Sequence, residues 1–341
     1  MGHPAAIATQ AHGSVLQIAP ARPGLVGIAR FAAESEKTRQ RAEVEYFALA
    51  SRSALNRESS GRMPFAWTLN PYRGCEFGCK YCYARYTHEF MELRDGRDFE
   101  RKIYAKRGAP ELLRQEVREA KDKGLPIALG TATDPYQPAE KQFEVTRRML
   151  EVLAAFEGLD FSITTKSVLI LRDLDLLRGI AAKHRFSVHM SVTTTDAHLA
   201  RRLEPKAPPP SKRLEAVRAL SDAGVRVGVN AMPILPGLND SAQALEDLAR
   251  QSAEARARFF HGRLLFLKSS AMSQFMPFLE RDFPRLVRRY RQLYAHSAYL
   301  EGEYKQEIAR RVATLRARYG LDEWREPPPR RAPQLALPFG A

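Results

Sequence analysis

The feature that most restricts the fold of this chain is a sixfold alternation of short apolar segments with longer amphipathic ones. The apolar segments predict strands at 65–69, 126–130, 160–165, 186–194, 225–233 and 263–268. The patterns between them predict helices at 109–123, 139–156, 168–182, 211–223 and 241–258. Strands that lack hairpin turns need helical crossovers, so the alternation predicts an α/β fold with a parallel sheet. Periodicity alone leaves open whether that sheet is doubly wound or a barrel.

The chain has three cysteines, and all of them lie in one short segment. Cys75, Cys79 and Cys82 follow the spacing Cys-x-x-x-Cys-x-x-Cys. Thiolates select zinc or iron–sulfur clusters over hard cations. A closed zinc site needs four protein ligands, and a four-iron cluster is normally held by four cysteines. The segment therefore predicts either a cluster with one open iron or a Cys3His zinc site completed by His88.

Residues 70–84, NPYRGCEFGCKYCYA, resemble the cluster motif of radical S-adenosylmethionine (SAM) enzymes, in the branch around spore photoproduct lyase. The cysteine spacing and Tyr81, just before the last cysteine, carry this resemblance. It implies a [4Fe-4S] cluster on the three cysteines, SAM on the open iron, and cleavage of SAM to a radical that abstracts hydrogen. It also implies a partial (β/α)6 TIM-like barrel, with the site at the carboxyl ends of the strands.

The resemblance spans residues 64–268 and implies SAM contacts at the predicted strand ends. The segment 134–137 (DPYQ) is similar to the branch's version of the segment that binds the SAM amino group. The segment 233–240 (PILPGLND) is similar to the adenine-contacting pattern. Helix caps, turns and exposed ion pairs are the alternatives for these polar residues. The predicted SAM-binding residues are Tyr81, Thr131, Asp134, Lys166, Ser191, Thr193, Glu204, Arg213, Leu235 and Gly237.

The resemblance does not extend to the substrate. Spore photoproduct lyases use an additional cysteine as hydrogen donor, and this chain has only the three cysteines of its motif. Repair of spore photoproduct is therefore not the expected reaction. Tyr290, Tyr294 and Tyr299 are candidates for another hydrogen donor, and no catalytic residue is assigned.

The charge of the chain bears on its partners. Its 54 Lys and Arg against 39 Asp and Glu give a net charge of +15. Such an excess suits a nucleic-acid substrate, although arginines spread over a solvated surface explain it equally well. A nucleic-acid-binding protein with a structural zinc site is the alternative to the enzyme. The expected reductant is a flavodoxin or a ferredoxin.

The remaining patterns set the expected organisation. Residues 1–60 read as a tail and an N-terminal extension, with a helical pattern at 31–56, before a core at 61–270. Residues 271–326 predict a helical C-terminal segment with helices at 283–299 and 301–319, and a Pro-rich tail follows at 327–341. Without about 18 consecutive apolar residues or a secretory signal, and with three thiols to keep reduced, the chain reads as a cytoplasmic monomer.

Overall fold

The computed structural model describes residues 24–59, 61 and 63–322. Its strands form two sheets, one of four strands and one of seven. The strands are β1 (Glu36–Arg41), β2 (Val44–Ala48), β3 (Leu55–Arg57), β4 (Trp67–Leu69), β5 (Tyr72–Arg73), β6 (Lys102–Ala105), β7 (Ile127–Leu129), β8 (Asp160–Thr165), β9 (Arg185–Ser191), β10 (Val227–Ile234) and β11 (Phe260–Leu264).

The helices lie mostly between consecutive strands of the larger sheet. They are α1 (Gly27–Ala33), α2 (Tyr86–Glu89), α3 (Asp98–Arg101), α4 (Ala109–Asp122), α5 (Glu140–Phe143), α6 (Val145–Ala154), α7 (Leu174–Lys183), α8 (Ala197–Leu203), α9 (Pro210–Asp222), α10 (Ala242–Glu254), α11 (Ser269–Asp282), α12 (Val287–Leu293) and α13 (Glu303–Tyr319). Short 3-10 helices occur at Tyr83–Arg85, Val168–Asp173 and Pro284–Leu286.

The larger sheet confirms the predicted α/β fold with a parallel sheet. Its order is β3-β4-β7-β8-β9-β10-β11. The six strands from β4 to β11 are parallel and follow chain order, and β3 pairs antiparallel at one edge. This is the partial (β/α)6 arrangement, with the helices of each crossover covering the sheet. Because the strands are parallel, their carboxyl ends lie together at one edge.

The sixth predicted strand, at 263–268, is wrong in its bounds. The strand is Phe260–Leu264, and the chain has left the sheet by residue 265. The apolar run continues because Leu265 and Leu267 are buried elsewhere, in a second core with residues of α11 and the cysteine segment. Periodicity cannot tell an apolar residue of a strand from one in the connection after it.

The helical pattern predicted at 31–56 is also wrong. Only Gly27–Ala33 is helical there, and β1 and β2 then form an antiparallel pair. β2 pairs parallel with β6, which pairs antiparallel with β5. The alternating burial of Val44 and Tyr46 has the period of a strand. This small sheet matters for the site because β5 ends directly before the cysteine segment.

The C-terminal segment is helical, as predicted, but its helices differ. The prediction at 301–319 is confirmed by Glu303–Tyr319, whereas the one at 283–299 shortens to Val287–Leu293. The helix Ser269–Asp282 was not predicted, although Ala271, Phe275 and Phe278 are buried at helical spacing. The Pro-rich tail at 327–341 lies outside the described residues. In the described ranges, no helix is both long and apolar enough to cross a bilayer.

Candidate active site

The three cysteines lie on a tight loop, residues 74–82, between β5 and the 3-10 helix that begins at Tyr83. Gly74 and Gly78 have φ values of +83° and +66°, a left-handed backbone that favours glycine. A Cβ atom on Gly74 would lie 2.7 Å from the Lys102 carbonyl oxygen. Glycine is therefore needed at Gly74 for both its backbone conformation and its lack of a side chain.

The loop after β7 holds this cysteine loop in place. Thr133 Oγ1 and Gln137 Nε2 donate to the Gly74 carbonyl at 2.6 and 3.0 Å. Gln137 Oε1 accepts from the Glu76 backbone N–H at 3.0 Å. Gln137 is fully buried, so leaving its side-chain hydrogen bonds unmade would be costly. Gln137 is absent from the predicted site residues, because the backbone groups it binds lie about sixty positions away along the chain.

Arg85 fixes the far end of the cysteine loop. Its guanidinium donates to the Cys79 carbonyl at 3.0 Å and to the Gly96 carbonyl at 2.7 Å. It also pairs with the Glu100 carboxylate at 2.6 Å, and its side chain is buried. Arg85 is absent from the predicted site residues, although its place in the motif made it a candidate to favour deprotonated thiols, with exposure to solvent as the alternative. The structure shows it buried instead.

The environment of the thiols fits a bound cluster. Burial raises the pKa of all three cysteines, that of Cys79 to about 12, and the Lys166 ammonium only partly opposes this shift at Cys79. A buried thiolate needs a positive partner, and bound iron supplies one. Three soft sulfur donors on one loop match a [4Fe-4S] cluster that keeps one iron open. Cys75, Cys79 and Cys82 are thus the residues that would hold it.

A buried polar network lies beside the cysteine loop. The Tyr81 hydroxyl donates to Glu204 Oε1 and lies 3.0 Å from Thr193 Oγ1. Thr193 Oγ1 donates to the same carboxylate oxygen at 2.8 Å. Arg213 Nη2 lies 2.5 Å from Glu204 Oε2, and both side chains are 1% exposed. The structure therefore brings together four predicted site residues from four separate segments.

The charges of this network follow from its contacts. Burial alone would raise the pKa of Glu204, but Arg213 and Lys166 lower it overall. Burial and the Glu204 carboxylate raise the pKa of Tyr81 well above its usual value. Glu204 is therefore an anion, and Tyr81 is a neutral hydrogen-bond donor held against it.

Arg213 uses its remaining donors within the protein. Nε donates to the Pro208 carbonyl at 2.7 Å, and Nη1 donates to the Ser191 carbonyl at 3.1 Å. These bonds make Arg213 and Glu204 positioning residues for Tyr81 and for the buried end of β9. Their contact with SAM stays a prediction.

Asp134 joins the ends of β7 and β8. Its carboxylate accepts from the Tyr136 N–H at 2.9 Å, from Thr165 Oγ1 at 2.7 Å and from the Lys166 N–H at 2.7 Å. Burial raises the pKa of Asp134, although these three hydrogen bonds act to lower it. Three protein groups thus already donate to the carboxylate that is predicted to accept from the SAM amino group. Through these bonds Asp134 orders the loop after β7.

The Lys166 ammonium faces the cysteine loop. Its Nζ lies 5.8 Å from the centroid of the Tyr81 ring. Burial alone would lower its pKa, but Cys79 and Glu204 raise it overall. Lys166 therefore keeps its charge beside the thiols, where an anionic group such as the SAM carboxylate would be attracted to it.

Thr131 lies at the end of β7 and is held by two neighbours. Its Oγ1 accepts from Asn70 Nδ2 at 3.1 Å, and its carbonyl accepts from the Tyr83 hydroxyl. Ala132 N–H donates to Asn70 Oδ1 at 2.8 Å. The Asn70 side-chain amide thus joins the chain just before the cysteine loop to the loop after β7 through both its nitrogen and its oxygen.

The loop after β10 is ordered by Asn239, which the sequence did not single out. Leu235 is fully buried and its N–H donates to Asn239 Oδ1 at 2.6 Å. Asn239 Nδ2 donates to the Thr193 carbonyl at 2.7 Å. Gly237 has a φ of +79°, and a Cβ there would lie 3.0 Å from Leu286 Cδ2 of the C-terminal segment. This loop is therefore tied to the polar network.

His88, the fourth ligand of the alternative zinc site, is engaged elsewhere. Its Nε2 lies 3.0 Å from the Lys102 carbonyl, and its ring packs against Phe99 and Tyr104. Burial lowers its pKa to about 4. Within the described residues, no three His, Cys, Asp or Glu side chains converge on a position for a single metal ion.

The three candidate hydrogen-donor tyrosines lie in different environments. Tyr290 and Tyr294 are buried with their rings 5.9 Å apart, and the Tyr294 hydroxyl donates to the Leu265 carbonyl at 2.8 Å. Tyr299 is 52% exposed. Only Tyr299 is therefore open to a substrate from solvent in this conformation.

Comparison with known proteins decides the family. The radical SAM superfamily model matches residues 69–249. This chain belongs to the radical SAM superfamily. An uncharacterized protein of Mycobacterium tuberculosis is 36% identical over 324 residues, which cover 94% of each chain. An uncharacterized protein of Methanocaldococcus jannaschii is 28% identical over 218 residues, 64% of this chain and 76% of that one.

Solved structures show the same fold. Spore photoproduct lyase complexed with dinucleoside spore photoproduct matches with a TM-score of 0.59 at 15% identity, over 89% of this chain and 85% of that one. A mutant of the lyase with bound AdoMet matches with a TM-score of 0.57 at 16% identity, over 89% and 84%. The radical SAM enzyme has the fold of spore photoproduct lyase, and membership of the superfamily implies a [4Fe-4S] cluster and SAM. Membership of this superfamily supports the enzyme over the nucleic-acid-binding protein with a structural zinc site.

Proposed function

We propose that Cys75, Cys79 and Cys82 hold a [4Fe-4S] cluster at which SAM is reductively cleaved, and that the radical formed abstracts hydrogen from a substrate. The observation that carries this is the set of three thiols on one loop, buried at Cys75 and Cys79 and half-buried at Cys82. Hydrogen bonds from Thr133 and Gln137 tie this loop to the loop after β7. When bound, the cluster and SAM supply the radical chemistry, and the protein supplies binding, orientation and exclusion of water.

The residues of the chain divide these tasks. Glu204 and Arg213 fix Tyr81 beside the thiols. Lys166 holds a positive charge at the same place, where it would attract the SAM carboxylate. Thr131 and Asp134 would face the SAM amino group, Ser191 and Thr193 its ribose and carboxylate, and Leu235 and Gly237 its adenine.

A nucleic acid is the substrate class we favour. The net charge of +15 suits a polyanion. The solved lyase structure that this fold resembles contains a dinucleoside spore photoproduct. The missing fourth cysteine argues against repair of that lesion here, so another modified or modifiable base is the better candidate.

The reductant we favour is a flavodoxin or a ferredoxin, acting on a cytoplasmic monomer. Lys80 lies in the cysteine loop, and the Lys206 N–H donates to the Phe77 carbonyl of the same loop. Flavodoxins and ferredoxins are acidic proteins, so such a surface would favour their encounter.

The test is to reconstitute the protein anaerobically with iron and sulfide and to add SAM and dithionite. We expect about four irons per chain and release of 5'-deoxyadenosine. A Cys79→Ala variant should release none. Stoichiometric zinc with no cleavage of SAM would overturn the proposal.

A further inference from the structure

A group of aromatic rings lies uncovered on the surface beside the cysteine loop. Tyr83, Phe90 and Tyr299 are 41%, 58% and 52% exposed. The Phe266 ring links Tyr83 and Tyr299, with centroid distances of 6.2 Å and 4.5 Å, and Tyr86 and Phe90 form a second pair at 5.6 Å. Lys268, two residues beyond Phe266, lies over the Tyr86 ring and so connects the two groups. We call these five side chains the aromatic patch.

The aromatic patch lies at the carboxyl edge of the barrel. Tyr83 directly follows Cys82, and its hydroxyl donates to the Thr131 carbonyl in the loop after β7. Phe266 stands two residues beyond the end of β11. One ring thus comes from the cysteine loop, where it is bonded to the loop after β7, and another comes from the chain just beyond β11, the last strand of the sheet.

Two contacts hold rings of the patch in place. The hydroxyl bond fixes Tyr83, and the Lys268 ammonium lies 4.3 Å from the centroid of the Tyr86 ring. Three exposed aromatic rings, with the half-buried Phe266 and Tyr86 beside them, indicate a binding surface. Aromatic rings beside cations are the arrangement that binds single-stranded nucleic acid, because every base has a face that stacks.

We propose that the aromatic patch stacks an unpaired base of a single-stranded nucleic acid, with Lys268 near the backbone phosphate, and so brings the substrate to the edge that carries the cysteine loop. This inference rests on the proposed function and names the form in which its substrate binds. The net charge of +15 favours a polyanion over other planar aromatic ligands.

The test is fluorescence anisotropy of a labelled oligothymidylate with cluster-loaded protein and SAM, under anaerobic conditions at low salt. Tyr299→Leu and Phe266→Leu should each weaken binding at least about tenfold, the size expected for one stacked base. Tyr299→Phe keeps the ring and should bind as the parent does. Lys268→Gln should reduce the dependence of log affinity on log salt by about one phosphate contact.

Two results would overturn the proposal. One is equal affinity of the Tyr299→Leu, Phe266→Leu and parent proteins, with melting temperatures that show all three to be folded. The other is a change in oligomeric state on Tyr299→Leu with no change in affinity, which would make the patch a contact between copies of this chain. The release of 5'-deoxyadenosine with dithionite is measured separately, so failure of the radical chemistry and failure of stacking are distinguishable.

Discussion

At the scale of residues, the ion pair of Glu204 and Arg213 connects stability with the site. Both side chains are 1% exposed, and the same carboxylate accepts from Tyr81 and Thr193. Removing two charges from water is costly and is offset only while both partners remain. Loss of one partner should therefore destabilise the fold and also release Tyr81 from its position.

Glu204→Gln should lower the free energy of unfolding by about 3–5 kcal/mol, because Arg213 is left as an unpaired buried charge. Urea denaturation of the cluster-free protein measures this. The double variant Glu204→Gln with Arg213→Met should recover much of the lost free energy of unfolding, because no buried charge is left unpaired. A loss below about 1 kcal/mol, the size found for exposed pairs, would contradict this account of the pair.

The same pair predicts a dependence on pH. The pKa of Glu204 lies below its ordinary value of 4.5. The ionised Glu204 carboxylate thus contributes fully to the free energy of unfolding above pH 4.5. This contribution is lost as the pH falls through the lowered pKa of the folded protein. We expect the gap in unfolding free energy between the parent and Glu204→Gln to narrow on acidification below that pH. A gap that stays constant would show that the carboxylate is not the origin of the difference.

Gly74→Ala tests the tight start of the cysteine loop. The left-handed φ and the 2.7 Å approach to the Lys102 carbonyl both oppose a Cβ atom there. We expect reconstituted protein to retain less than about half of the parent's iron, because the positions of the thiols depend on this turn. Gly108→Ala is the matched control, since nothing lies within 4 Å of its Cβ position. Equal iron content in both variants would contradict the prediction.

At the scale of elements, the segment joining α8 to α9 lies against the cysteine loop. The Lys80 N–H donates to the Leu203 carbonyl at 2.9 Å, and the Lys206 N–H donates to the Phe77 carbonyl at 3.3 Å. These two bonds bring the basic side chains of Lys80 and Lys206 to the outside of the loop that would hold the cluster. A reductant protein that approaches the cysteine loop from this side would therefore encounter a positively charged surface.

Replacing both lysines by glutamate should slow reduction of the cluster by a flavodoxin at least about tenfold at low salt, since complementary charge mainly raises association rates. The rate of cluster reduction by dithionite should differ less between the variant and the parent. The control is Lys121→Glu with Lys123→Glu, which makes the same charge change before the amino end of β7. Equal slowing by both pairs would show a general charge effect instead of a docking surface.

The elements also show how far sequence can predict this molecule. The six parallel strands are predictable because each apolar segment is short and is bounded by helical patterns. The three candidate cluster ligands are predictable because the chain has only three cysteines. The pairing of β2 with β6 is not, because it joins residues more than fifty positions apart. Gln137 and Asn239 escape prediction for the same reason, since they bind backbone groups of distant segments.

At the scale of the whole molecule, two parts of the chain meet at one edge. The family match covers residues 69–249 and includes the cysteines, the polar network and the loop after β10. Phe266 and Tyr299 lie beyond it, in the chain that follows β11, where helices α11 and α12 share a core with the cysteine loop. We infer that the matched part carries the common chemistry, whereas the C-terminal segment determines which substrate reaches it.

The most direct test of the central claim is the electron paramagnetic resonance spectrum of the reduced, cluster-loaded protein before and after SAM is added. A cluster held by Cys75, Cys79 and Cys82 alone has an iron open to SAM. We predict a reduced [4Fe-4S] signal whose g-values shift when SAM is added. A cluster signal that SAM leaves unchanged would contradict the account, because it would mean that the open iron is not where SAM binds.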